Sequence, residues 1–197
     1  MNVAQKIAKE TTITFSGMLY GNINRYIYTA LLARWVGIEY LGIYSLANAI
    51  MLIGEVIAKM GLETGVMRFI SQLDNQKENI QIQKIIYSSL KMTIIFSIGI
   101  LIIIIIASKS LVSLFNGAPL LHVVIIIFAC IIPFNAITLV SAYATQGFKL
   151  LKYKVITTQV INPTILLISM VIAYRYFSLE SVIIIPMVCV AIIGCLI

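Results

Sequence analysis

The amino-acid sequence predicts an all-α integral membrane protein. Hydrophobic residues make up 61% of the 197 residues and charged residues only 11%, and the mean hydropathy is +1.05. Soluble domains use about a quarter charged residues, so this composition is typical of the membrane class. Lipid offers no hydrogen-bond partner to an open backbone, which leaves helices or a closed barrel. Barrel strands alternate apolar and polar residues, whereas residues 102–106 are all isoleucine, so helices are predicted.

Six apolar stretches are long enough to cross a bilayer as helices. They cover residues 11–33, 40–60, 85–107, 120–143, 155–174 and 179–197. Basic residues precede the first stretch, but no convincing cleavage site follows it, so it is predicted to be a retained span rather than a signal peptide. Residues 1–197 are therefore expected to form one lobe of six transmembrane helices.

The distribution of lysine and arginine predicts a cytoplasmic N-terminus. With six spans, one set of helix ends carries ten basic residues and the opposite set carries three. The basic-rich ends contain Lys6, Lys9, Lys59, Arg68, Lys77, Lys84, Lys91, Lys149, Lys152 and Lys154, and the opposite ends contain Arg34, Lys109 and Arg175. Because cytoplasmic loops are enriched in lysine and arginine, the basic-rich ends are assigned to the cytoplasm.

Arg25 lies in the middle of the first stretch, where a charge costs roughly 2.5–3.5 kcal/mol on insertion scales. Such residues normally face a bundle interior or a water-filled cavity. On a helical wheel Arg25 shares a face with Met18, Asn22, Tyr26 and Thr29, and this face is predicted to line a cavity. The alternative is a structural role, in which Arg25 bonds neighbouring carbonyl oxygens or partly snorkels to the interface.

A second face of the same stretch is predicted to pack against another helix. Gly17 and Gly21 are four residues apart and share this face with Asn24 and Tyr28. Two small residues at this spacing let a neighbouring backbone approach closely within a membrane.

Glu55, Lys59 and Glu63 form a ladder of opposite charges at i, i+4, i+8, and Asn48 lies on the same helical face. The ladder is interpreted either as an ion-coupling or gating element or as a mutually neutralising structural pair near the interface. At about 1.5 Å per residue, Arg25 is expected in the outer half of the membrane and Glu55 in the inner half. A direct pair between the two is therefore not expected.

Prolines are predicted inside three later helices, at Pro133, Pro163 and Pro186. Each removes a backbone hydrogen bond and favours a kink. Asn135 and Asn162 lie beside two of them, and kinked helices with polar neighbours are a feature of transporter binding regions. Proline is also more frequent in membrane helices generally, which leaves a structural interpretation open.

The longest segment between spans, residues 61–84, mixes charged and apolar residues. It is expected either to lie as an amphipathic helix at the cytoplasmic headgroups or to be a solvated connector.

The sequence offers little material for catalysis or for a metal. The single histidine, His122, is expected at an outer interface without a partner, and no phosphate-binding glycine motif is present. Cys130, Cys189 and Cys195 lie in apolar stretches without metal-ligand spacing and are expected to be small core residues. The net charge of +7 is explained by membrane topology, because the basic residues lie mainly between apolar stretches. The predictions are therefore no enzymatic activity, no cofactor, no metal and no nucleic-acid partner.

Two segments carry a resemblance to a known family. The run ALLARWVGIEYLGIYSLANAI at residues 30–50 and the run GLETGVMRFIS at residues 61–71 resemble the opening of polysaccharide and O-antigen flippases. These flippases share a superfamily with lipid II flippases and the MATE multidrug exporters. The resemblance covers spans one and two, and for spans three to six it extends only to length, topology and charge placement.

The resemblance implies two six-helix lobes that rock about a central cavity, in a protein of twelve or fourteen spans of which this chain is the N-terminal half. It implies that an undecaprenyl-pyrophosphate-linked oligosaccharide is flipped across the bacterial cytoplasmic (inner) membrane, with ion or proton coupling, for surface polysaccharide or O-antigen of lipopolysaccharide. The implied partners are this anionic lipid-linked oligosaccharide and membrane lipids, with a polysaccharide polymerase and glycosyltransferases as candidates.

Flipping of a lipid-linked oligosaccharide is the leading functional hypothesis. A MATE-like cation-coupled multidrug exporter lobe and a non-transporting membrane scaffold subunit are the alternatives. An exporter of cations would be expected to use buried acids, whereas Arg25 favours an anionic substrate. The residues expected to bind substrate are Asn22, Arg25, Tyr26, Thr29, Asn48 and Asn135. The residues expected to couple an ion or to act as a gate are Glu55, Lys59 and Glu63.

Overall fold

The structure is a computed structural model that describes residues 3–76, 79–115, 119–148 and 150–196. Within these ranges the chain is almost entirely helical, and no described residue lies in a β-strand. The predicted all-α class is confirmed.

Eight α-helices and one π-helix follow one another along the described chain. They are α1 (Val3–Trp35), α2 (Ile38–Lys59), α3 (Leu62–Gln76), α4 (Asn79–Leu114), α5 (Pro119–Gly147), α6 (Leu151–Val155), the π-helix (Ile156–Ile161), α7 (Asn162–Tyr176) and α8 (Ser181–Leu196). The segment from α6 through the π-helix to α7 is one continuous helix of 26 residues.

By length and composition, four of the described helices can cross a membrane: α2, α4, α5 and the continuous segment Leu151–Tyr176. The predicted count of six spans is not confirmed. The helix that contains the first predicted span, α1, is long enough, but polar residues such as Asn22, Asn24 and Arg25 lower its hydropathy. The sixth predicted span corresponds to α8, an apolar helix of only 16 residues.

Helix α5 lies at the centre and packs against α2, α3, α4, α6 and α8. Its side chains supply much of the main core, including Ile125, Phe128 and Ile132, while α1 contributes Tyr28 and Leu32. Removing these large apolar side chains from lipid gives little hydrophobic gain, so close packing and matched polar groups hold such a bundle together.

A row of small hydroxyl residues lets α4 pack closely against its neighbours. Ser89, Thr93, Ser97 and Ser108 are all buried. The hydroxyls of Thr93, Ser97 and Ser108 donate to backbone carbonyls of their own helix, at 2.6–3.0 Å. Because these hydroxyls are satisfied locally, they can face a neighbouring helix without an unpaired polar group.

The predicted close approach at Gly17 and Gly21 is confirmed, and the neighbour is the segment around the π-helix. A Cβ atom on Gly21 would lie 2.7 Å from the carbonyl oxygen of Gln159, and one on Gly17 would overlap the side chain of Val155. Tyr28, on the same face of α1, is 1% exposed. This contact brings α1 against the backbone of the π-helix.

Residues 62–76 form helix α3, which fits the helical alternative for this segment. Its buried side chains Val66 and Ile70 form a small core with Ile82 of α4 and Val140 of α5. Its apolar face is therefore largely covered by protein. Close contact is possible because α5 ends at Gly147, where a Cβ atom would lie 2.8 Å from the Cβ of Ile70.

The three prolines have different positions in the helices. Pro133 and Pro186 lie inside α5 and α8 as expected. Pro163 follows the π-helix and takes an early position in α7. The wider π-helical turn and the absence of a proline N–H both loosen the backbone ladder at this point.

Two smaller expectations were wrong. Cys130 and Cys195 are exposed on the described surface and only Cys189 is half-buried, because each lies on the outward side of an apolar helix. His122 is not without a partner, since its Nε2 lies 3.2 Å from the Ser108 hydroxyl where α4 and α5 meet.

Candidate functional site: a polar cavity inside the bundle

A cavity of about 550 Å³ lies among α1, α2, α5, the π-helix, α7 and α8. We call it the central cavity. It is lined by Arg25, Tyr28, Thr29, Tyr44, Asn48, Leu52, Glu55, Asn135, Thr138, Leu139, Thr158, Asn162, Pro163, Leu166, Met187 and Val190. The lining combines one guanidinium, one carboxylate, three amides and several hydroxyls with an apolar remainder. A few convergent polar groups in a largely apolar cavity are typical of a small-molecule site.

Arg25 is held at the cavity by three hydrogen bonds. Its Nη1 donates to Asn22 Oδ1 and to Gln159 Oε1, both at 3.4 Å, and its Nη2 donates to the carbonyl oxygen of Thr158 at 3.3 Å. Charge-assisted bonds of this kind are usually about 2.7–2.9 Å. The guanidinium is thus oriented by its neighbours but bound only loosely.

The π-helix explains why a carbonyl oxygen is available to Arg25. A π-turn shifts the hydrogen-bond pattern of the backbone, and Pro163 supplies no N–H. The Thr158 carbonyl lies in this segment and accepts from Arg25. Gly21 lets α1 approach closely enough for the side chain four residues later to reach it.

The charge ladder has the predicted pairing. Lys59 Nζ lies 3.3 Å from Glu55 Oε1 and 3.6 Å from Glu63 Oε1. Glu55 and Lys59 are 6% and 8% exposed. Lys59 bridges the end of α2 to the start of α3, across Met60 and Gly61, which take left-handed φ angles of 45° and 77°. Glu55 is the member that also lines the central cavity.

Three aromatic rings are in contact with one another at the wall of the cavity. The Tyr28 and Tyr44 ring centroids are 5.4 Å apart, and Tyr44 meets Phe128 edge-on at 6.0 Å. Tilted and edge-on contacts of this kind contribute about 0.5–1.5 kcal/mol beyond burial of area. Tyr28 and Tyr44 thus form part of the cavity wall on the side of α1 and α2.

Asn162 places an unpaired polar atom at the same cavity. Its Oδ1 is buried and has no hydrogen-bond partner among the described residues. A buried amide oxygen without a partner is costly. Asn162 lines the central cavity, and a donor inside it, such as a hydroxyl or an N–H group, would satisfy this oxygen.

The structure brings most of the predicted site residues together. Arg25, Thr29, Asn48, Glu55 and Asn135 all line the central cavity. Arg25 and Glu55 thus share a cavity, although they were expected at different depths, and the structure shows no direct pair between them.

The other predicted residues lie outside the lining. Asn22 reaches the cavity only through its bond to Arg25, and Lys59 and Glu63 reach it only through Glu55. Tyr26 is 75% exposed. It points about 100° away from Arg25 around α1, because successive residues of a helix differ by that angle.

Sequence reasoning missed Thr138, Thr158 and Asn162 as cavity residues, and Gln159 as a partner of Arg25. The polar run at residues 157–159, inside an otherwise apolar stretch, is the signal that could have identified two of them. Asn162 attracted attention only because Pro163 follows it. Thr138 gave no signal, because a lone threonine in a membrane helix usually bonds its own backbone, as this one does to the Phe134 carbonyl at 2.9 Å.

No group of three or more metal-ligating side chains occurs among the described residues. The fold and the cavity define the class of this chain as a multi-pass membrane protein with a polar site inside its helical bundle.

The chain matches the family model described as polysaccharide biosynthesis protein over residues 7–197. The match covers nearly the whole chain, so this protein belongs to that family. Members of this family are typically transporters rather than enzymes, and membership suggests a polysaccharide-related transport role. The comparisons with curated proteins and with solved structures give no match.

Proposed function

We propose that this chain takes part in flipping an undecaprenyl-pyrophosphate-linked oligosaccharide across the bacterial cytoplasmic membrane, for surface polysaccharide or O-antigen biosynthesis. Family membership supports the polysaccharide context. The single observation that carries the proposal is the convergence of Arg25, Asn48 and Asn135, from three different helices, on one cavity. In this proposal the helices act as one lobe of a two-lobe transporter.

The chemistry of the cavity suits both parts of such a substrate. Sugar hydroxyls both donate and accept, and the amides of Asn48, Asn135 and Asn162 do the same. The Arg25 guanidinium can hold phosphate oxygens in a bidentate fork. Its present bonds are long and leave N–H groups unused, so a phosphate could replace them at small cost.

The charge ladder supports a gating or coupling role for Glu55, Lys59 and Glu63. It connects a carboxylate at the cavity to α3 through a single lysine. A change in charge at Glu55 would alter the Lys59 bridge and with it the geometry of the turn at Met60. The position of α3 relative to α2 would then depend on whether Glu55 is charged.

The alternatives have less support from the site. A cation exporter needs a carboxylate available to its substrate, whereas Glu55 Oε1 is bonded to Lys59. A scaffold subunit needs no polar cavity, and Arg25, which is exposed within α1, would then carry the cost of a charge in the bilayer without a function. Both alternatives are outcomes of the following experiment.

The test measures surface glycan in a host that lacks its own flippase and expresses the full natural protein. We expect Arg25→Ala to reduce surface glycan by about tenfold or more, since it removes charge-assisted bonds. Arg25→Lys should retain part of the activity, because it keeps the charge and loses the fork. Arg34→Ala is the matched control, since Arg34 is an exposed arginine at the end of the same helix.

Membrane protein level is measured in parallel for every variant. Near-normal glycan from well-expressed Arg25→Ala would give Arg25 a structural role and remove the main support for an anionic substrate. No glycan from the wild-type protein, with efflux of cationic dyes instead, would favour the exporter. Neither activity would favour the scaffold.

A further inference from the structure

A second cavity, separate from the central one, lies where α5 ends and α6 begins. Its volume is about 350 Å³. Its polar lining consists of Lys154 and the hydroxyl residues Thr138, Ser141, Thr145, Tyr153 and Thr157. The end of α8, at Gly194, Cys195 and Leu196, closes the other side. We call it the Lys154 cavity.

The ammonium group of Lys154 is fixed on two sides. Its Nζ donates to Gln146 Oε1 at 2.8 Å and lies 3.4 Å from the centroid of the Tyr143 ring. An ammonium has three N–H donors and no acceptor. One is used by Gln146 and one faces the ring, so the remaining N–H is available to the cavity.

The charge of Lys154 is not neutralised by a carboxylate. Among the described residues, the lysine found in ion pairs is Lys59, and Lys154 has a neutral amide and an aromatic ring as partners. Gln146 also borders a shallow groove that contains Arg68 of α3. Gln146 is thus bonded to one cation, Lys154, and shares the lining of a groove with another, Arg68.

The hydroxyls of the cavity divide into two kinds. Those of Thr138 and Thr145 donate to backbone carbonyls at 2.9 and 2.7 Å. No hydrogen bond of Ser141, Tyr153 or Thr157 is found within the described chain, so these hydroxyls can donate into the cavity. An oriented ammonium with nearby hydroxyl donors suits a ligand that carries several acceptor oxygens and a negative charge.

The geometry points to a binding site in the Lys154 cavity for a phosphate group, in the form of a phosphate ester or pyrophosphate. Such a group matches both the unpaired charge and the number of donors. It can come from an anionic phospholipid headgroup or from an isoprenoid pyrophosphate. Thr138 lines this cavity and the central cavity alike, but the site itself does not depend on the transport proposed above.

The test uses the full natural protein in a neutral detergent, with bound lipids counted by native mass spectrometry. The probes are phosphatidylglycerol and farnesyl pyrophosphate, and phosphatidylcholine is the reference. We expect Lys154→Gln to weaken binding of a phosphate probe by about tenfold or more, because it removes one charge-assisted bond and its charge. Lys152→Gln should change it by less than about twofold. Lys152 is exposed, lies two residues away and does not line the cavity.

The pattern of losses identifies the source of the phosphate. A loss for phosphatidylglycerol alone indicates a bound membrane lipid, a loss for farnesyl pyrophosphate alone indicates an isoprenoid ligand, and a loss for both indicates recognition of the shared group. Equal weakening by Lys154→Gln and Lys152→Gln would show a net-charge effect and overturn the proposal. Binding that is unchanged in Lys154→Gln would overturn it as well.

A second pair of variants keeps the test decisive if Lys154→Gln fails to fold. Lys154→Arg keeps the charge and should retain most of the binding, whereas Thr157→Val keeps Lys154 and should weaken binding several-fold by removing one donor. Arg34→Ala should leave binding of phosphatidylglycerol intact, since Arg34 is exposed and lines neither cavity. If Thr157→Val binds like wild type while Lys154→Gln fails to fold, the site is rejected.

Discussion

Arg25 links α1 to the π-helix through long hydrogen bonds. Its three hydrogen bonds reach a side-chain amide of its own helix and a side chain and a carbonyl of the π-helix, so it holds α1 to the opposite wall of the cavity. All three are 3.3 Å or longer, which leaves the guanidinium free to exchange partners. The length of these bonds is compatible with the proposal that a bound anion replaces them.

Gly21 sets the position of Arg25, and its substitution tests this link. Gly21→Ala would place a Cβ atom 2.7 Å from the Gln159 carbonyl oxygen, and such overpacking typically costs about 1–3 kcal/mol. We expect a melting temperature in detergent several degrees below that of the wild type. Gly42→Ala is the control, because no atom lies within 4 Å of its added Cβ. A Gly21→Ala protein as stable as Gly42→Ala would show that α1 does not need this close contact.

At the scale of the helix, local pattern predicted some contacts well and others not at all. The i, i+4 spacing of Glu55 and Lys59 predicted their ion pair, because that contact is made within one turn of α2. The pair between Lys59 and Glu63 was predicted by the same spacing but crosses the break between α2 and α3 at Met60 and Gly61. The π-helix could not be predicted, since it depends on how α1 and α6 pack together. Without it, neither the exposed Thr158 carbonyl nor the contact between Arg25 and Gln159 follows from the sequence.

The ladder at the α2–α3 turn makes a prediction about stability. Lys59→Met should be strongly destabilising, because it leaves buried Glu55 without its cation, and loss of one partner of a buried pair typically costs about 3–5 kcal/mol. The triple variant Glu55→Gln, Lys59→Met, Glu63→Gln should recover most of that loss, since no charge is left unpaired. Thermal unfolding in detergent measures both. Equal destabilisation by the single and triple variants would contradict the coupling.

At the scale of the whole molecule, composition predicted the all-α membrane class. Six spans were expected, and four of the described helices have the length and hydropathy of a span. The two predicted spans outside this set lie in α1, which contains Arg25 and two asparagines, and in α8, which has only 16 residues. The central cavity was predicted in part, because Arg25, Asn48 and Glu55 are polar residues inside apolar stretches. That they line the same cavity as Asn135 could be seen only from the packing of the helices.

The orientation of the bundle is tested by labelling single cysteines. Cys130, Cys189 and Cys195 are first replaced by alanine, since two of them are exposed, and one cysteine is then introduced at Lys84, Lys152 or Lys109. With a cytoplasmic N-terminus, positions 84 and 152 should be shielded from an impermeant thiol reagent in intact cells, and position 109 should react. Permeabilised cells serve as the control for reactivity. The opposite labelling pattern would invert the topology.

The partnership between α1 and the π-helix also sets an order of assembly. Gln159 and Thr158 follow Arg25 in the chain by 134 and 133 residues, which takes a ribosome roughly 7–27 seconds to synthesise at about 5–20 residues per second. During that interval Arg25 has none of its partners from the π-helix and only Asn22 of its own helix. Nascent α1 therefore has to be shielded by water, by the insertion machinery or by α2 until the later helices emerge. Arg25, the residue proposed to bind an anion, is thus also the residue that delays stable packing of α1 until the π-helix has been synthesised.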